Sequence, residues 1–504
     1  MRVEKDILLG IDFGTSSCKV SAIAFDGSLL CDCSVEYPTE FAREGWAEQD
    51  PADWYDAMCT ALRTLREKYS LDLKRVLSIA FDGSTHNAVL LDEYMTPVRK
   101  TIMWTDQRSV EECRFLQTHY GEQIFSTAFQ KVAPTWTLPQ LRWIRTHEKG
   151  VLEKTAHILF VKDYVRYLVT GVALTDYIEA QGTLFFDMKK MQFSEDLASL
   201  AGVKLSQLPA LADPADVVGK VTKKAAEETG LPEGTPVVCG TSDSAVEDYG
   251  AGAIEPGDCI VKLATAGNVN VMTSEAHPYP TTLTYSHVIP GMFYTVSATN
   301  AAALCQRWFR DGFCGEEKLL AQQQNVNAFA LMEEMAQKSP VGANGVWFHP
   351  YLQGERSPYW DPDLRGSFTG VSIRNDKGDF LRALMEGVAY SLRDCYRTIE
   401  EMRLEVRRII LIGGGSRSPL WSSIVSNVFD LPVLVPTPGD ASFGSALLAG
   451  TGVGVFADRK EAVKRCLHLD REICPEEETA AFYRKGFRTY LEIHDALAPI
   501  YAKK

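Results

Sequence analysis

Three turns in this chain combine glycine with hydroxyl or amide side chains directly after an apolar run: Asp12-Phe13-Gly14-Thr15-Ser16-Ser17, Ala264-Thr265-Ala266-Gly267-Asn268 and Gly413-Gly414-Gly415-Ser416. Glycine lets the backbone come close to a ligand, and successive N–H groups in a turn can converge on one anion. The chemistry these turns suit is phosphate binding. Asp12 adds a carboxylate of the kind that holds a magnesium ion, here through water. None of the turns has the spacing GxxxxGK[ST] or GxGxxG, so neither a Walker loop nor a dinucleotide fingerprint is present. One such turn is most often only a turn. Two related strand–turn–strand units are a more specific sign of a phosphate clamp.

The elements that must carry these turns follow from local pattern. Ile7 to Phe13 reads as a strand, Lys19 to Phe25 as a second, and Asp26-Gly27 as the hairpin turn before a third, Ser28 to Ser34. A helix should start after Asp50, with Pro51 at its first position and Trp54, Met58, Leu62 and Leu65 on one stripe. Val76 to Phe81 reads as a buried strand. The chain then restarts: Pro236 to Cys239 is a short strand, and Cys259 to Leu263, a turn, and Val269 to Met272 repeat the opening logic. Arg408 to Ile412 is a further strand, followed by a helix from Pro419 to Phe429, and the stretch after 475 is polar and helical. Strands alternating with helices predict an α/β architecture. The repeat reads as a weak internal duplication, with a boundary near 250 and domains at 1–250 and 251–504. The small residues Gly250, Ala251, Gly252 and Ala253 suit either a hinge or tight packing.

Composition sets limits on partners. With 504 residues the chain can bury a large core, as two or three domains. A formal charge of −14 argues against nucleic acid, which wants a basic face, but not against phosphate. No apolar run is long enough to span a bilayer, and the opening residues are too acidic for a signal peptide, so the expectation is a cytoplasmic protein without a membrane partner. The twelve cysteines and nine histidines show no zinc spacing and read as buried thiols and ordinary side chains.

The sequence resembles the FGGY carbohydrate kinases over nearly its whole length. Gly366 to Val371, then seven residues, then Asp379 to Glu386 match that family's C-terminal signature. Its N-terminal signature is poorer, with Gln140 where the pattern has lysine. Gly45 to Asp50, Trp104 to Arg108, Lys162 to Tyr164 and Gly354 to Pro358 are similar to other family stretches. The resemblance implies an α/β, two-domain actin/hexokinase-like (ribonuclease H-like) ATPase fold with a central ATP cleft. It implies ATP and Mg2+ as cofactors and a small-molecule sugar as substrate, and it is compatible with a homodimer.

Carried over by position, Gly240 to Asp243 resembles the family's G-x-x-D, whose Asp is the general base. Alone in a turn, Asp243 would more often be a cap. Asp12, Gly14, Thr15 and Ser16 resemble the first phosphate turn, and Thr265, Ala266 and Gly267 the second, with Ala264 where many relatives have glycine. Gly414, Gly415 and Ser418 resemble the adenosine-binding turn. Thr85, His86, Trp104, Asp106 and Arg108 fall where the family binds sugar hydroxyls. Alone, His86 would read as a satisfied core histidine, and Arg108 as a partner of Asp106. Trp308 reads as helical core rather than a wall of the adenine pocket. The reaction implied is ATP-dependent phosphorylation of a sugar hydroxyl, D-xylulose to D-xylulose 5-phosphate foremost. Another ketopentose, a polyol or gluconate is the alternative. A non-catalytic sugar sensor and an actin-like assembly protein are the rivals from other classes. The intact Asp243 weighs against the first and the signature at 366–386 against the second.

Overall fold

The computed structural model describes residues 5–502. The chain divides into two compact units. The first comprises residues 1–252, 285–292 and 438–467, and the second 253–284, 293–437 and 468–504. The return of two later segments to the first unit is a departure from the uninterrupted second domain expected after 251.

The first unit is built on a sheet of β1 (Ile7–Phe13), β2 (Ser17–Ala24), β3 (Leu29–Glu36), β4 (Val76–Gly83), β5 (Val217–Lys220) and β6 (Pro236–Ser242). Its order is β3-β2-β1-β4-β6-β5. The second sheet holds β7 (Asp258–Leu263), β8 (Gly267–Thr273), β9 (Phe293–Thr299), β10 (Arg408–Ile412), β11 (Val433–Thr437) and β12 (His468–Ile473), running β9-β8-β7-β10-β11-β12, with a seventh strand, Leu283–Ser286, added beyond β9. Both sheets open with an antiparallel three-strand meander. In both, the first strand then pairs in parallel with a later one, that one with another, and an antiparallel strand closes the edge. The repeat read from the sequence is a duplication of topology that begins at β7; the strand expected at Pro236–Cys239 as part of the restart belongs to the first sheet, as β6.

Local signals set most of these elements. The Asp50 side chain accepts the Ala52 N–H at 3.0 Å and starts the helix Pro51–Lys68, which buries Trp54, Met58, Leu62 and Leu65 as the stripe requires. The Trp54 indole also donates to Gln49 at 2.8 Å. Truncating so large a buried ring costs about 3–5 kcal/mol, so the stripe holds this helix to the sheet. Each unit has its own apolar core, one around Leu9, Ile11, Phe81 and Val237, the other around Val261, Leu411 and Trp421. The helix Glu477–Tyr501 buries Tyr483 and Tyr490 in the second core, so the polar C-terminal stretch is a packing arm.

The helix Ala441–Gly452 explains the return to the first unit. Its first ten residues are all buried, and it lies against β1 and β4. Gly444 has no room for a side chain: a Cβ there would sit 2.2 Å from the Val246 carbonyl oxygen, and one on Gly250 would sit 2.8 Å from the Gly444 Cα. Close helix packing accounts for Gly250. Among the described residues, no helix is long and apolar enough to cross a membrane.

Candidate active site

Strands β1, β4 and β6 lie side by side, and the pairing puts Asp12, Asp82 and Thr241 in one row near their ends. Gly240 has φ 71°, and a Cβ on it would meet the Phe81 carbonyl oxygen at 1.7 Å. Only glycine makes this bend. The pairing with β4 shifts register there, between Val238 and Thr241, and the chain passes through Ser242, the N-cap, into the helix Asp243–Gly250. Asp243 is the first residue of that helix. Its Oδ1 accepts the Ser244 N–H at 2.6 Å and the Ser244 hydroxyl at 3.2 Å, which fixes the carboxylate.

The row is strongly acidic. Burial, then the charge of Asp243, push Asp12 up to about 7, with Asp440 and Glu247 adding to the effect. Burial and the Asp12 charge push Asp82 well above the carboxylate range. The Ser445 hydroxyl donates to Asp82 Oδ2 at 2.5 Å. Burial also works against the charge of Asp440, but Lys19, 2.6 Å away, holds its carboxyl below the usual range. Asp12 Oδ1 is shut off from solvent with no hydrogen-bond partner from a donor group. A buried carboxylate oxygen among like charges is a fit for a cation. No group of three His, Cys, Asp or Glu able to hold a metal occurs among the described residues, so such a cation would bring most of its own ligands.

The turn between β1 and β2 is held from behind. Tyr37 donates to the Gly14 carbonyl, its own N–H to the Ser16 carbonyl at 3.1 Å, and Gln49 Nε2 to the Thr15 carbonyl at 2.7 Å. The Trp104 indole donates to Thr15 Oγ1 at 3.1 Å, and the Trp104 N–H to Asn87 Oδ1 at 2.5 Å. The turn after β1, Trp104 and the 84–87 loop are therefore one assembly.

His86 is buried, with φ 55°. Its N–H donates to Glu179 Oε1 at 2.6 Å, its carbonyl accepts the Thr137 hydroxyl at 2.7 Å, and its ring lies 5.0 Å from that of Trp136. Burial lowers its pKa to about 3, so the imidazole is neutral, and its buried Nδ1 has no partner. Thr85 beside it is half-buried.

Asp106 and Arg108 are placed differently. Their side chains are each 1% exposed and form a two-bond pair, Nε to Oδ1 at 2.9 Å and Nη2 to Oδ2 at 2.8 Å. Arg108 also reaches Glu48 at 2.6 Å and lies 3.8 Å over the Trp46 ring, while Asp106 accepts the Ala47 N–H at 2.6 Å. Their charged ends are spent on anchoring the loop that carries Trp104. Gln140, at the family's lysine position, is buried and donates to the Met103 and Pro134 carbonyls at 3.1 and 3.2 Å, bracing the same loop.

Behind the row lies a buried network that the sequence reading missed. Lys162 Nζ lies 2.6 Å from Asp163 and 2.8 Å from Asp176. Asp176 Oδ1 accepts the Thr241 hydroxyl at 2.7 Å and caps the helix Tyr177–Gln181, from which Glu179 holds His86. This couples the His86 loop to the strand that presents Asp243. The only sequence sign was Lys162 in a family-like stretch; Asp82, Asp440, Asp176 and Glu179 meet their partners through distant pairing.

In the second unit the turn Ala264–Gly267 joins β7 to β8. The 413–415 turn packs directly on it: a Cβ on Gly413 would lie 2.6 Å from the Leu263 carbonyl oxygen. The 264–267 and 413–415 turns are thus neighbours. Ser418 accepts the Trp421 N–H at 3.0 Å as the cap of the helix Pro419–Phe429. Trp308 is 38% exposed on the helix Ala303–Phe313, not helical core. In the signature, Glu386 has a core role, accepting Arg382 Nε at 2.7 Å and the Tyr483 hydroxyl at 2.8 Å, while Gly370 and Val371 are exposed.

Such a duplicated pair of sheets, with a hydroxyl-rich turn after each first strand, belongs to the actin/hexokinase-like class. The chain matches the FGGY family of carbohydrate kinases, N-terminal domain, over residues 7–250 and the C-terminal domain over 261–453. It is 30% identical over 490 residues to the xylulose kinase of Bacillus subtilis (strain 168), covering 97% of this chain and 96% of that one. It is 26% identical to the gluconokinase of the same organism, covering 98% and 97%. The crystal structure of xylulose kinase from Rhodospirillum rubrum superposes with a TM-score of 0.87 at 28% identity, covering 98% of this chain and 100% of that chain. The chain belongs to the FGGY family of carbohydrate kinases and is a sugar kinase, of a family that uses ATP.

Proposed function

We propose that this kinase transfers the γ-phosphoryl group of ATP to D-xylulose, giving D-xylulose 5-phosphate, with Asp243 as general base. The observation that carries the mechanism is the placement of Asp243 at the end of β6, its carboxylate oriented by Ser244, beside the Asp12 turn. A sugar hydroxyl is a weak nucleophile. As its oxygen bonds to the γ-phosphorus and the bond to the β,γ-bridging oxygen breaks, its proton passes to Asp243 and ADP leaves. The phosphates are assigned to Asp12, Gly14, Thr15 and Ser16 and to Thr265, Ala266 and Gly267, and adenosine to Gly414, Gly415 and Ser418. Asp12 fits a magnesium ion through water, which when bound would neutralise phosphate charge.

His86, Thr85 and Trp104 are assigned to the sugar. A neutral buried imidazole with a bare Nδ1 suits a sugar hydroxyl as donor. Asp106 and Arg108 serve the sugar through Trp104, whose loop their ion pair fixes. Xylulose is favoured by His86 and by the xylulose kinases among the relatives. Gluconate is the second reading, on the similarity to a gluconokinase. Coupled measurement of ADP release with D-xylulose, other ketopentoses, pentitols, glycerol and gluconate tests the assignment. The highest kcat/KM with xylulose is expected; preference for gluconate by about tenfold would replace it.

A further inference from the structure

We propose that Arg307 is the cation that holds the nucleotide's polyphosphate on the second phosphate turn, an assignment that rests on the reading of Thr265–Gly267 as that turn. The motif there supplies no charge of its own: Ala264, Thr265, Ala266 and Gly267 are neutral. Nor are the N–H groups of the following helix open to an anion. The Ala302 and Leu304 N–H groups donate to the Thr265 carbonyl at 3.0 and 3.3 Å, and the Ala303 N–H to the Ala264 carbonyl at 2.7 Å. The turn is clipped to the helix start by bonds that consume the donors a phosphate would otherwise use.

Arg307, one turn along the helix Ala303–Phe313, reaches back to this place. Its Nη2 donates to Thr265 Oγ1 at 2.6 Å, and both residues are exposed. Among the described residues it forms no ion pair with a carboxylate, although the chain carries 66 of them against 52 lysines and arginines. A guanidinium has five N–H donors, and one hydroxyl occupies one of them. The remaining donors face solvent beside a hydroxyl turn, in the planar geometry that binds phosphate oxygens in pairs. Thr265 orients the guanidinium, and the guanidinium supplies the charge that the turn lacks.

The test is nucleotide binding by Arg307→Gln and Arg307→Lys, by calorimetry with ATP, ADP and adenosine, alongside Thr265→Val. Because Arg307 is exposed, thermal unfolding should be unchanged. Arg307→Gln should weaken ATP and ADP by about tenfold to a hundredfold while adenosine binds as before, and Arg307→Lys should recover part of the loss. The salt dependence of ATP binding should also fall. Equal weakening of adenosine and ATP, or no weakening of either, overturns the assignment. If Thr265→Val weakens ATP and Arg307→Gln does not, this inference fails and the phosphate turn stands. If Thr265→Val leaves ATP binding unchanged too, the reading of the turn fails with it.

Discussion

The turn after β1 and the turn after β7 hold the same place in two sheets that share a six-strand order, yet the first is the more acidic. The residue one before the end of β1 is Asp12, paired across the sheet with Asp82. Its counterpart in β7 is Lys262, paired with Ile412. Around the first turn gather Asp82, Asp243, Glu247 and Asp440, with Lys19 paired to Asp440; around the second stands Arg307, with Glu355 bonded to Thr299, the strand partner of Gly267. The duplicated frame fixes where a turn can face a ligand; the residues at a few register positions decide what it can hold. An acidic turn suits a cation and a proton-accepting base. A turn with an arginine suits the anion itself.

Breaking the support of the acidic half should cost most in stability. Arg108→Met removes one partner of a pair buried to 1% exposure, and an uncompensated buried charge costs about 3–5 kcal/mol. Thermal unfolding should show a drop of several degrees with a rise in sugar KM. A raised KM at unchanged Tm would instead put Arg108 on the substrate.

Asp12→Asn tests the electrostatics of the same half. The folded pKa of Asp12, about 7, lies above the ordinary value of 3.8, so its charge opposes folding. That penalty is absent below the unfolded pKa and grows as pH rises towards the folded one. Asp12→Asn should therefore raise Tm at about pH 8, leave it unchanged near pH 3.5, and lower activity at every magnesium concentration. A lower Tm at the higher pH would mean that Asp12 is stabilised by a partner rather than strained.

The smallest effect belongs to the His86 loop. His86→Ala should raise the sugar KM by about five- to thirtyfold, the loss of one or two hydrogen bonds, with the ATP KM nearly unchanged. Equal changes in both constants would make His86 structural.

What the sequence made legible is what local chemistry determines. Asp26-Gly27 announced a hairpin, Asp50-Pro51 a helix start, and Arg408–Ile412 and Pro419–Phe429 were readable to the residue from apolar runs and a proline at the first helical position. Gly240 was legible as part of a motif, but its bend was not, because the reason lies in the Phe81 carbonyl. The helix Ala441–Gly452 is apolar and small-residued on every side, so its pattern could not say which sheet it covers. Nothing local in the sequence marked Asp82 or Glu179; only strand pairing and helix packing bring them to Asp12 and His86. Asp106 and Arg108 were placed with the sugar residues by resemblance, with a mutual pair as the reading Arg108 would have alone; the structure shows that pair, and its burial was invisible in sequence.

The central claim is that the acidic half supplies the base. The direct test is Asp243→Asn, with kcat measured on D-xylulose and ATP and sugar affinity measured by calorimetry. The account predicts a fall in kcat of about 10²–10⁴-fold with sugar affinity within a few-fold of the unaltered enzyme. A kcat within a few-fold of the unaltered enzyme would contradict it.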